Sequence, residues 1–157
     1  MTENRAVAVI LAAGKGIRFG GQPKAGLALG NRPMLAFSLD ALRASPEIAQ
    51  VVVVMNPEDE EVFRKEWGNG PLDIGADIVV AGGEKRWMSC REGVRASDPE
   101  LEMVLIHDAA RPLLSPELVK LVWTATLEHE AAFAASPVPD SLHFTENRRV
   151  TFESIDR

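Results

Sequence analysis

The strongest structural signal in this sequence is VILAAGKGIRFGGQPK, residues 9–24. In it an apolar run ends at a turn that contains Gly14 and Gly16, and two cations, Arg18 and Lys24, follow. Glycine has no Cβ atom, so backbone amides in such a turn can approach an anion closely. A hydrophobic strand that runs into this kind of turn is typical of a phosphate-holding loop at the end of a parallel strand.

The sequence patterns of two common phosphate-binding loops do not match this stretch. The Walker loop requires G-x-x-x-x-G-K-S/T, which is absent from the stretch. The dinucleotide pattern G-x-G-x-x-G matches Gly14 and Gly16, but its third glycine position falls on Phe19. Asn56 stands where that pattern expects an acidic residue after the second strand. Two interpretations remain: a loop around a nucleoside triphosphate, or a plain strand-to-helix turn with solvated cations.

Short apolar runs alternate with segments of helical periodicity along the whole chain. This alternation predicts parallel strands covered by helices on both faces, which is a doubly wound, mostly parallel α/β sheet. The predicted strands are 6–13, 51–56, 77–83, 103–112 and 131–138, and the predicted helices are 33–44, 57–67, 87–96 and 115–130.

The pattern changes after Pro139. DSLHFTENRRVTFESIDR, residues 140–157, predicts a strand, a turn at ENRR and a second strand, and therefore a polar hairpin at about 141–155. A lone two-stranded hairpin is only marginally stable in water. We expect it to lean on the core of a single domain, 1–157, or on a second copy of the chain.

Composition excludes several classes of protein. The chain has 157 residues, enough for one domain with a substantial core, and its net charge of −6 disfavours a nucleic-acid or membrane-surface binder. No apolar run approaches the roughly 20 residues of a membrane span. The single cysteine and the absence of a secretion signal at the N-terminus predict a cytoplasmic protein.

A second polar turn, GGEKRWMSCREGV at residues 82–94, follows another predicted strand. Its glycine pair permits close approach of a ligand, and Ser89 can form a hydrogen bond with a base edge. Arg86 can either reach a phosphate or pair with Glu84. Ligands of open α/β sheets bind beyond the carboxyl ends of the strands, so this turn is expected beside the first loop.

Two further strand ends carry ionisable residues. VLIHDAARP, residues 104–112, places Asp108 where it can accept bonds from ribose hydroxyls or from a metal-bound water. Arg111 can hold a phosphate or orient Asp108. SPVPDS, residues 136–141, places Asp140 at the end of a further predicted strand. All these strand ends together predict one shared cleft.

Several conspicuous residues are assigned structural roles. Cys90 and the helical tryptophans Trp67 and Trp123 are most simply core residues. His107, at the end of a buried strand, is expected to be hydrogen-bonded rather than a phosphate ligand. No histidine has a second ligand at metal spacing, so no metal site follows from the sequence.

The segments LAAGKGIRFGGQPK, GGEKRWMS, HDAARP and PVPDS, in this order and at roughly this spacing, resemble the 2-C-methyl-D-erythritol 4-phosphate cytidylyltransferase family of the non-mevalonate isoprenoid pathway. The resemblance covers essentially the whole chain, and HDAARP is its most specific element. It implies a Rossmann-like nucleotidyltransferase fold with a projecting β-arm that forms a homodimer. The implied reaction transfers CMP from CTP to the polyol phosphate, releases pyrophosphate and requires a divalent cation, usually Mg²⁺.

The resemblance also implies roles for individual residues. Arg18 and Lys24 would be catalytic, stabilising the charge that develops at the α-phosphate. The implied nucleotide-binding residues are Ala12, Ala13, Gly14, Gly16, Gly83, Glu84, Ser89 and Asp108, and the implied substrate-binding residues are Arg111, Asp140 and, from the partner subunit, Arg157. No metal ligand is implied, because Mg²⁺ is expected to be held largely by the phosphates.

Three alternatives stay open at the level of the sequence. Members of the family continue past the position of Arg157, so the chain is expected to be a piece of a longer protein. The acceptor could be ribitol 5-phosphate, since that sister activity shares nearly all these motifs. The chain could also be an inactive paralogue or a regulator that binds CTP without transferring CMP.

Overall fold

The computed structural model describes residues 5–14, 16, 24–68 and 70–137, together with two strands at 143–146 and 149–154. Its strands are β1 (Ala6–Leu11), β2 (Ala28–Leu29), β3 (Arg32–Pro33), β4 (Ile48–Val54), β5 (Ile78–Val80), β6 (Met103–Asp108), β7 (His143–Glu146) and β8 (Arg149–Ser154). Its helices are α1 (Met34–Arg43), α2 (Pro57–Trp67), α3 (Arg86–Arg95) and α4 (Pro116–His129), and a 3-10 turn spans Lys24–Gly26.

The main sheet has four strands in the order β5-β4-β1-β6, and every pairing in it is parallel. The strand β1 lies in the middle, so its carboxyl end opens between the ends of β4 and β6. The connections between these strands return the chain to the edge of the sheet at which every strand begins, as parallel pairing requires. The predicted doubly wound α/β fold is confirmed.

Side chains of β1 point alternately to two separate cores. Ala8 and Ile10 belong to one core, which is completed by residues of α1, α2 and α4, and Val7 and Val9 belong to the other. The second core lies on the face that α3 covers. Gly93 lets α3 approach the sheet closely, since a Cβ there would lie 2.3 Å from Val9 Cγ1. Burial on both faces explains why the central strands are continuously apolar in sequence.

The fifth predicted strand is wrong. Residues 131–137, where a strand was predicted over 131–138, form no strand, and Phe133 in this segment is 86% exposed. A strand exists only where its backbone pairs with a neighbour, and β6 is the edge strand of the main sheet in the described part of the chain. The apolar composition of residues 131–137 was therefore not enough to make this segment a strand.

The hairpin predicted near the end of the chain is present as an antiparallel pair of β7 and β8, separate from the main sheet. Its role as a dimer arm stays a prediction. The short antiparallel pair of β2 and β3 was not predicted. Among the described residues, no helix combines the length and apolar character needed to cross a membrane.

A side-chain N-cap is expected at the start of both α2 and α4, and it is found only at α4. Ser115 caps α4, because its hydroxyl accepts a hydrogen bond from the Leu118 amide at 3.3 Å. The same hydroxyl lowers the pKa of the exposed Glu117 carboxyl by hydrogen bonding. Asn56 occupies the matching position before α2, but its side chain forms no cap.

Candidate functional site

A cleft of about 920 Å³ lies at the carboxyl edge of the main sheet. It is within the size range of small-molecule sites. Four strand ends contribute to it: residues 11–14 after β1, 56–58 after β4, 82–86 after β5 and 108–111 after β6. Other lining residues are Gly16, Lys24, Ala25 and Ser89. The cleft thus brings together every predicted site residue that the structure describes.

The loop after β1 is hydrogen-bonded to β4 at Ala12, and the described residues leave space beside it at Gly14. The Ala12 amide donates to the Val54 carbonyl at 2.8 Å, which continues the parallel ladder one residue past β1. A Cβ on Gly14 would have no heavy atom of the described residues within 4 Å. Gly16 adopts φ +56°, a left-handed conformation that favours glycine. Among the described residues the space beside Gly14 is thus open, as a loop that admits a ligand needs.

Asn56 was missed as a site residue. Instead of capping α2, its amide Nδ2 donates to the Ala13 carbonyl at 3.1 Å and to Asp59 Oδ2 at 3.2 Å. Burial is the main cause that raises the pKa of the Asp59 carboxyl, and the hydrogen bond from Asn56 acts in the opposite direction by lowering that pKa. The amide therefore ties the loop after β1 to the start of α2. Its position at the end of β4, beside the glycine turn, was the available sequence signal.

The turn after β5 packs directly against the loop after β1. A Cβ on Gly82 would lie only 2.2 Å from Ala13 Cβ and 3.0 Å from Ser89 Oγ. Ser89 is 5% exposed, and its hydroxyl accepts a hydrogen bond from the Gly83 amide at 3.2 Å. The residue predicted to contact a base is thus placed at the cleft, where its hydroxyl orders the turn at Gly83. Glu84 also lines the cleft.

Asp108 joins two arginines at the rim of the cleft. Arg86 donates to Asp108 Oδ1 from Nε at 3.1 Å and from Nη2 at 3.0 Å, and Arg111 Nε lies 3.3 Å from Asp108 Oδ2. Arg86 therefore pairs with Asp108 and not with Glu84, one of the two partners foreseen for it. Its reach to a phosphate stays a prediction. Both arginines are mostly exposed, so these ion pairs orient side chains more than they stabilise the fold.

His107 takes the structural role expected for it. Its Nε2 lies 3.1 Å from Ser38 Oγ and 3.1 Å from the Arg111 carbonyl, which can only accept. The ring nitrogen therefore carries a proton that it donates toward Arg111. Burial is the largest cause that lowers the pKa of His107. The neutral ring links α1 to the turn that carries Asp108 and Arg111.

Lys24 begins the 3-10 turn and lines the cleft together with Ala25. Arg18, Asp140 and Arg157, also predicted for the site, lie outside the described residues. Cys90 lies partly buried on α3, 3.8 Å from Arg86 Nη1. It does not line the cleft, although Ser89 and Arg86 beside it do, and it is not one of the buried core residues, so the core role predicted for it is not observed.

The described residues contain no group of three or more His, Cys, Asp or Glu side chains that could hold a metal ion. Carboxylates of the cleft lining are Glu58, Glu84 and Asp108. Magnesium commonly takes one or two carboxylates together with substrate phosphates and water. These three carboxylates fit an ion that is coordinated mainly by nucleotide phosphates and water. They do not form a site in which the protein supplies all the ligands.

Comparisons with known proteins agree on one family. The family model of 2-C-methyl-D-erythritol 4-phosphate cytidylyltransferase matches residues 6–157. The chain is 41% identical over 141 residues to the protein of that name from Frankia casuarinae, covering 88% of this chain and 50% of the relative. It is 38% identical over 157 residues to that from Laribacter hongkongensis, covering 98% and 67%.

Among solved structures, 4-diphosphocytidyl-2C-methyl-D-erythritol synthase from Anaerococcus prevotii superimposes with a TM-score of 0.78 at 26% identity, over 98% of this chain and 65% of that one. The chain therefore spans about half to two thirds of the length of these relatives. With a family match over nearly its whole length, the chain belongs to the 2-C-methyl-D-erythritol 4-phosphate cytidylyltransferase family.

Proposed function

We propose that this chain is the nucleotidyltransferase part of an enzyme that transfers CMP from CTP to 2-C-methyl-D-erythritol 4-phosphate and releases pyrophosphate. Membership of the family supports this activity. The observation that carries the proposal is the convergence, in one cleft, of an open glycine loop, a serine-ordered turn and a turn with a carboxylate and arginines. These three parts match the phosphate, base and ribose of a nucleotide.

The cleft suggests an orientation for CTP. The phosphates lie over the loop at Gly14, where there is room for a ligand, with Gly16 beside it. The cytosine lies at the turn of Gly83, Glu84 and Ser89, and the ribose hydroxyls donate to Asp108. Ala12 and Ala13 form the floor beneath the nucleotide. Lys24 lines the same cleft and is assigned to the triphosphate in this orientation.

The chemistry requires positioning of anions more than proton transfer. An oxygen of the acceptor phosphate attacks the α-phosphorus in line. The bond from that phosphorus to the oxygen bridging to the β-phosphate then breaks, and pyrophosphate leaves with the electron pair. A phosphate monoester is already anionic near neutral pH, so no general base is needed. Lys24 and Arg18 stabilise the charge that develops on the α-phosphate oxygens.

A divalent cation, Mg²⁺, supplies further charge neutralisation for the triphosphate when it is bound. The phosphates would hold it, with Glu58, Glu84 and Asp108 of the cleft lining as the candidate carboxylates of this chain. Asp108 is already engaged by Arg86 and Arg111. These two ion pairs orient the Asp108 carboxylate at the cleft.

The acceptor is assigned to residues at the rim. Arg111, at the end of the turn after β6, is placed to bind an anionic substrate, and Asp140 and the partner subunit's Arg157 complete the acceptor site in this proposal. A homodimer formed through the hairpin of β7 and β8 would bring the latter arginine to the cleft. We propose a cytoplasmic setting on the basis of the family's phosphorylated substrates and the single cysteine.

The test is pyrophosphate release from CTP and Mg²⁺ with 2-C-methyl-D-erythritol 4-phosphate, and with ribitol 5-phosphate as the competing acceptor. The Frankia casuarinae relative serves as the positive control. Release with the methylerythritol phosphate alone supports the proposal, and release with ribitol 5-phosphate alone moves the chain to the sister activity. CTP binding by calorimetry without release in either case supports a binding protein or regulator instead.

A further inference from the structure

We propose that Trp67 is a positioning residue for Lys24: its indole N–H, at the end of α2, holds the backbone turn on which Lys24 stands. The catalytic role of Lys24 rests on the proposed function above. The role of Trp67 goes beyond it, because the sequence indicates only a helical core residue at this position.

The central observation is a hydrogen bond from a side chain to the backbone of the lysine turn. Trp67 Nε1 donates to the Gly26 carbonyl at 2.8 Å. Gly26 is the last residue of the 3-10 turn that begins at Lys24. The Leu27 amide closes this turn by donating to the Lys24 carbonyl at 3.1 Å. One indole therefore fixes a three-residue segment whose first residue lines the cleft.

Packing shows that the turn is seated on α2 rather than merely touching it. Ala25 is 2% exposed and Gly26 is buried. A Cβ on Gly26 would lie 3.5 Å from Glu66 Oε2 and 3.6 Å from Phe63 Cδ2, which is ordinary contact distance. The turn thus packs against the side of α2. The hydrogen bond from the indole N–H fixes its position along the helix.

A second bond anchors Leu27, the residue that directly follows the turn. The Met34 amide, at the start of α1, donates to the Leu27 carbonyl at 2.9 Å. Both helices contact the turn. Phenylalanine at position 67 would retain most of the packing, but it has no donor for the Gly26 carbonyl. The bond, rather than the bulk, is then the feature that distinguishes tryptophan here.

This arrangement matters because a cation stabilises a transition state only where charge develops. Small misplacements of a catalytic group are costly, about 100-fold for roughly 1 Å. A lysine side chain is long and flexible, so its reach is set by where its backbone stands. We expect the Trp67 bond to affect the transfer step more than the binding of CTP.

The first measurement needs neither substrate nor substitution. In the 157-residue chain, the Trp67 indole N–H and the Leu27 amide should exchange with solvent at least about tenfold more slowly than unprotected groups, as a formed hydrogen bond requires. Exchange at the unprotected rate for the indole would overturn the inference. This result is independent of whether the chain transfers CMP.

The second measurement compares Trp67→Phe with Trp123→Phe, a matched change at another partly buried tryptophan on α4. Trp67→Phe should speed Leu27 exchange about fivefold or more and lower kcat five- to tenfold, with KM for CTP within twofold. Trp123→Phe should do neither. Equal effects of the two variants, or equal changes in kcat and KM, would assign Trp67 a merely structural role.

The outcomes separate the two proposals. Faster Leu27 exchange in Trp67→Phe, together with no pyrophosphate release by the parent chain, supports the anchoring role and removes the proposed activity. Unchanged exchange in Trp67→Phe, with normal release by the parent, removes the anchoring role and leaves the activity intact.

Discussion

Replacing Gly82 by alanine should separate the two loops that form the floor of the cleft. The added Cβ would stand 2.2 Å from Ala13 Cβ and 3.4 Å from Val54 Cγ1. Carbon atoms in contact are normally about 3.5–4 Å apart, so the loop after β1 must move by more than roughly 1 Å. The clash is with a carbon attached directly to the backbone, so no side-chain rotation can relieve it.

The magnitude follows from the cost of overpacking, which is about 1–3 kcal/mol in a well-packed region. In a chain of this size each kcal/mol lowers Tm by about 2–4 °C, so Tm should fall by roughly 2–12 °C. A shift of the Ala13 backbone should also displace the nucleotide phosphates. We expect CTP affinity to fall at least about tenfold, which corresponds to about 1.4 kcal/mol.

Two other glycines provide controls for this variant. A Cβ on Gly14 meets no described residue within 4 Å, so Gly14→Ala should leave Tm unchanged while weakening CTP binding, if the phosphates occupy that space. A Cβ on Gly93 would lie 2.3 Å from Val9 Cγ1, beneath α3. Gly93→Ala should therefore lower Tm through the helix–sheet contact, away from the cleft lining.

The assays are thermal unfolding and calorimetric titration with CTP and Mg²⁺, carried out on the parent and all three variants. If Gly82→Ala binds CTP as tightly as the parent, the loop at Ala13 does not position the nucleotide and the reasoning fails. If Gly14→Ala also binds normally, the open space beside Gly14 is not the phosphate site.

Four further outcomes are expected. Lys24→Ala should lower kcat/KM by several kcal/mol and change CTP affinity much less, because a transition-state contact is lost; equal losses in steady-state kinetics and calorimetry would make Lys24 a plain binding residue. Asp108→Asn should weaken CTP binding in the same titration but change the free energy of unfolding by less than about 0.5 kcal/mol, since its arginine partners are exposed. Because burial lowers the pKa of His107 below its ordinary 6.5, the unfolded chain takes up the proton first; urea unfolding should thus show stability falling as the pH drops from 6.5 toward the native pKa, and His107→Asn should flatten that slope. Ser115→Ala should cost about 1 kcal/mol of unfolding free energy through loss of the α4 cap, and a change below about 0.3 kcal/mol would contradict the capping role.

Much of the fold could be predicted because its signals are local. Helical periodicity placed α2 at 57–67, as observed, and α3 within one residue. The rule that ligands bind beyond the carboxyl ends of parallel strands predicted a shared cleft, and the loop at Gly14 and the turn at Asp108 do line one cleft. These inferences need only the order of residues along the chain and the geometry of a parallel sheet.

Choices among several possible partners could not be predicted. Arg86 pairs with Asp108 rather than Glu84, and the Asn56 amide binds the Ala13 carbonyl instead of capping its own helix. Each choice depends on which loops the sheet order brings side by side.

The sequence by itself determined four of the five predicted apolar strands, most helix boundaries and the family, because each is written in short-range patterns and motifs. The irregular course of 131–137, the seating of Gly26 against Trp67 and the closeness of Gly82 to Ala13 emerged only in the folded chain. The physical reason is that strand pairing, side-chain hydrogen bonds and steric fit each require two segments that are distant in sequence. The relative placement of two such segments depends on how the whole domain packs, and it cannot be read from the residues of either segment alone.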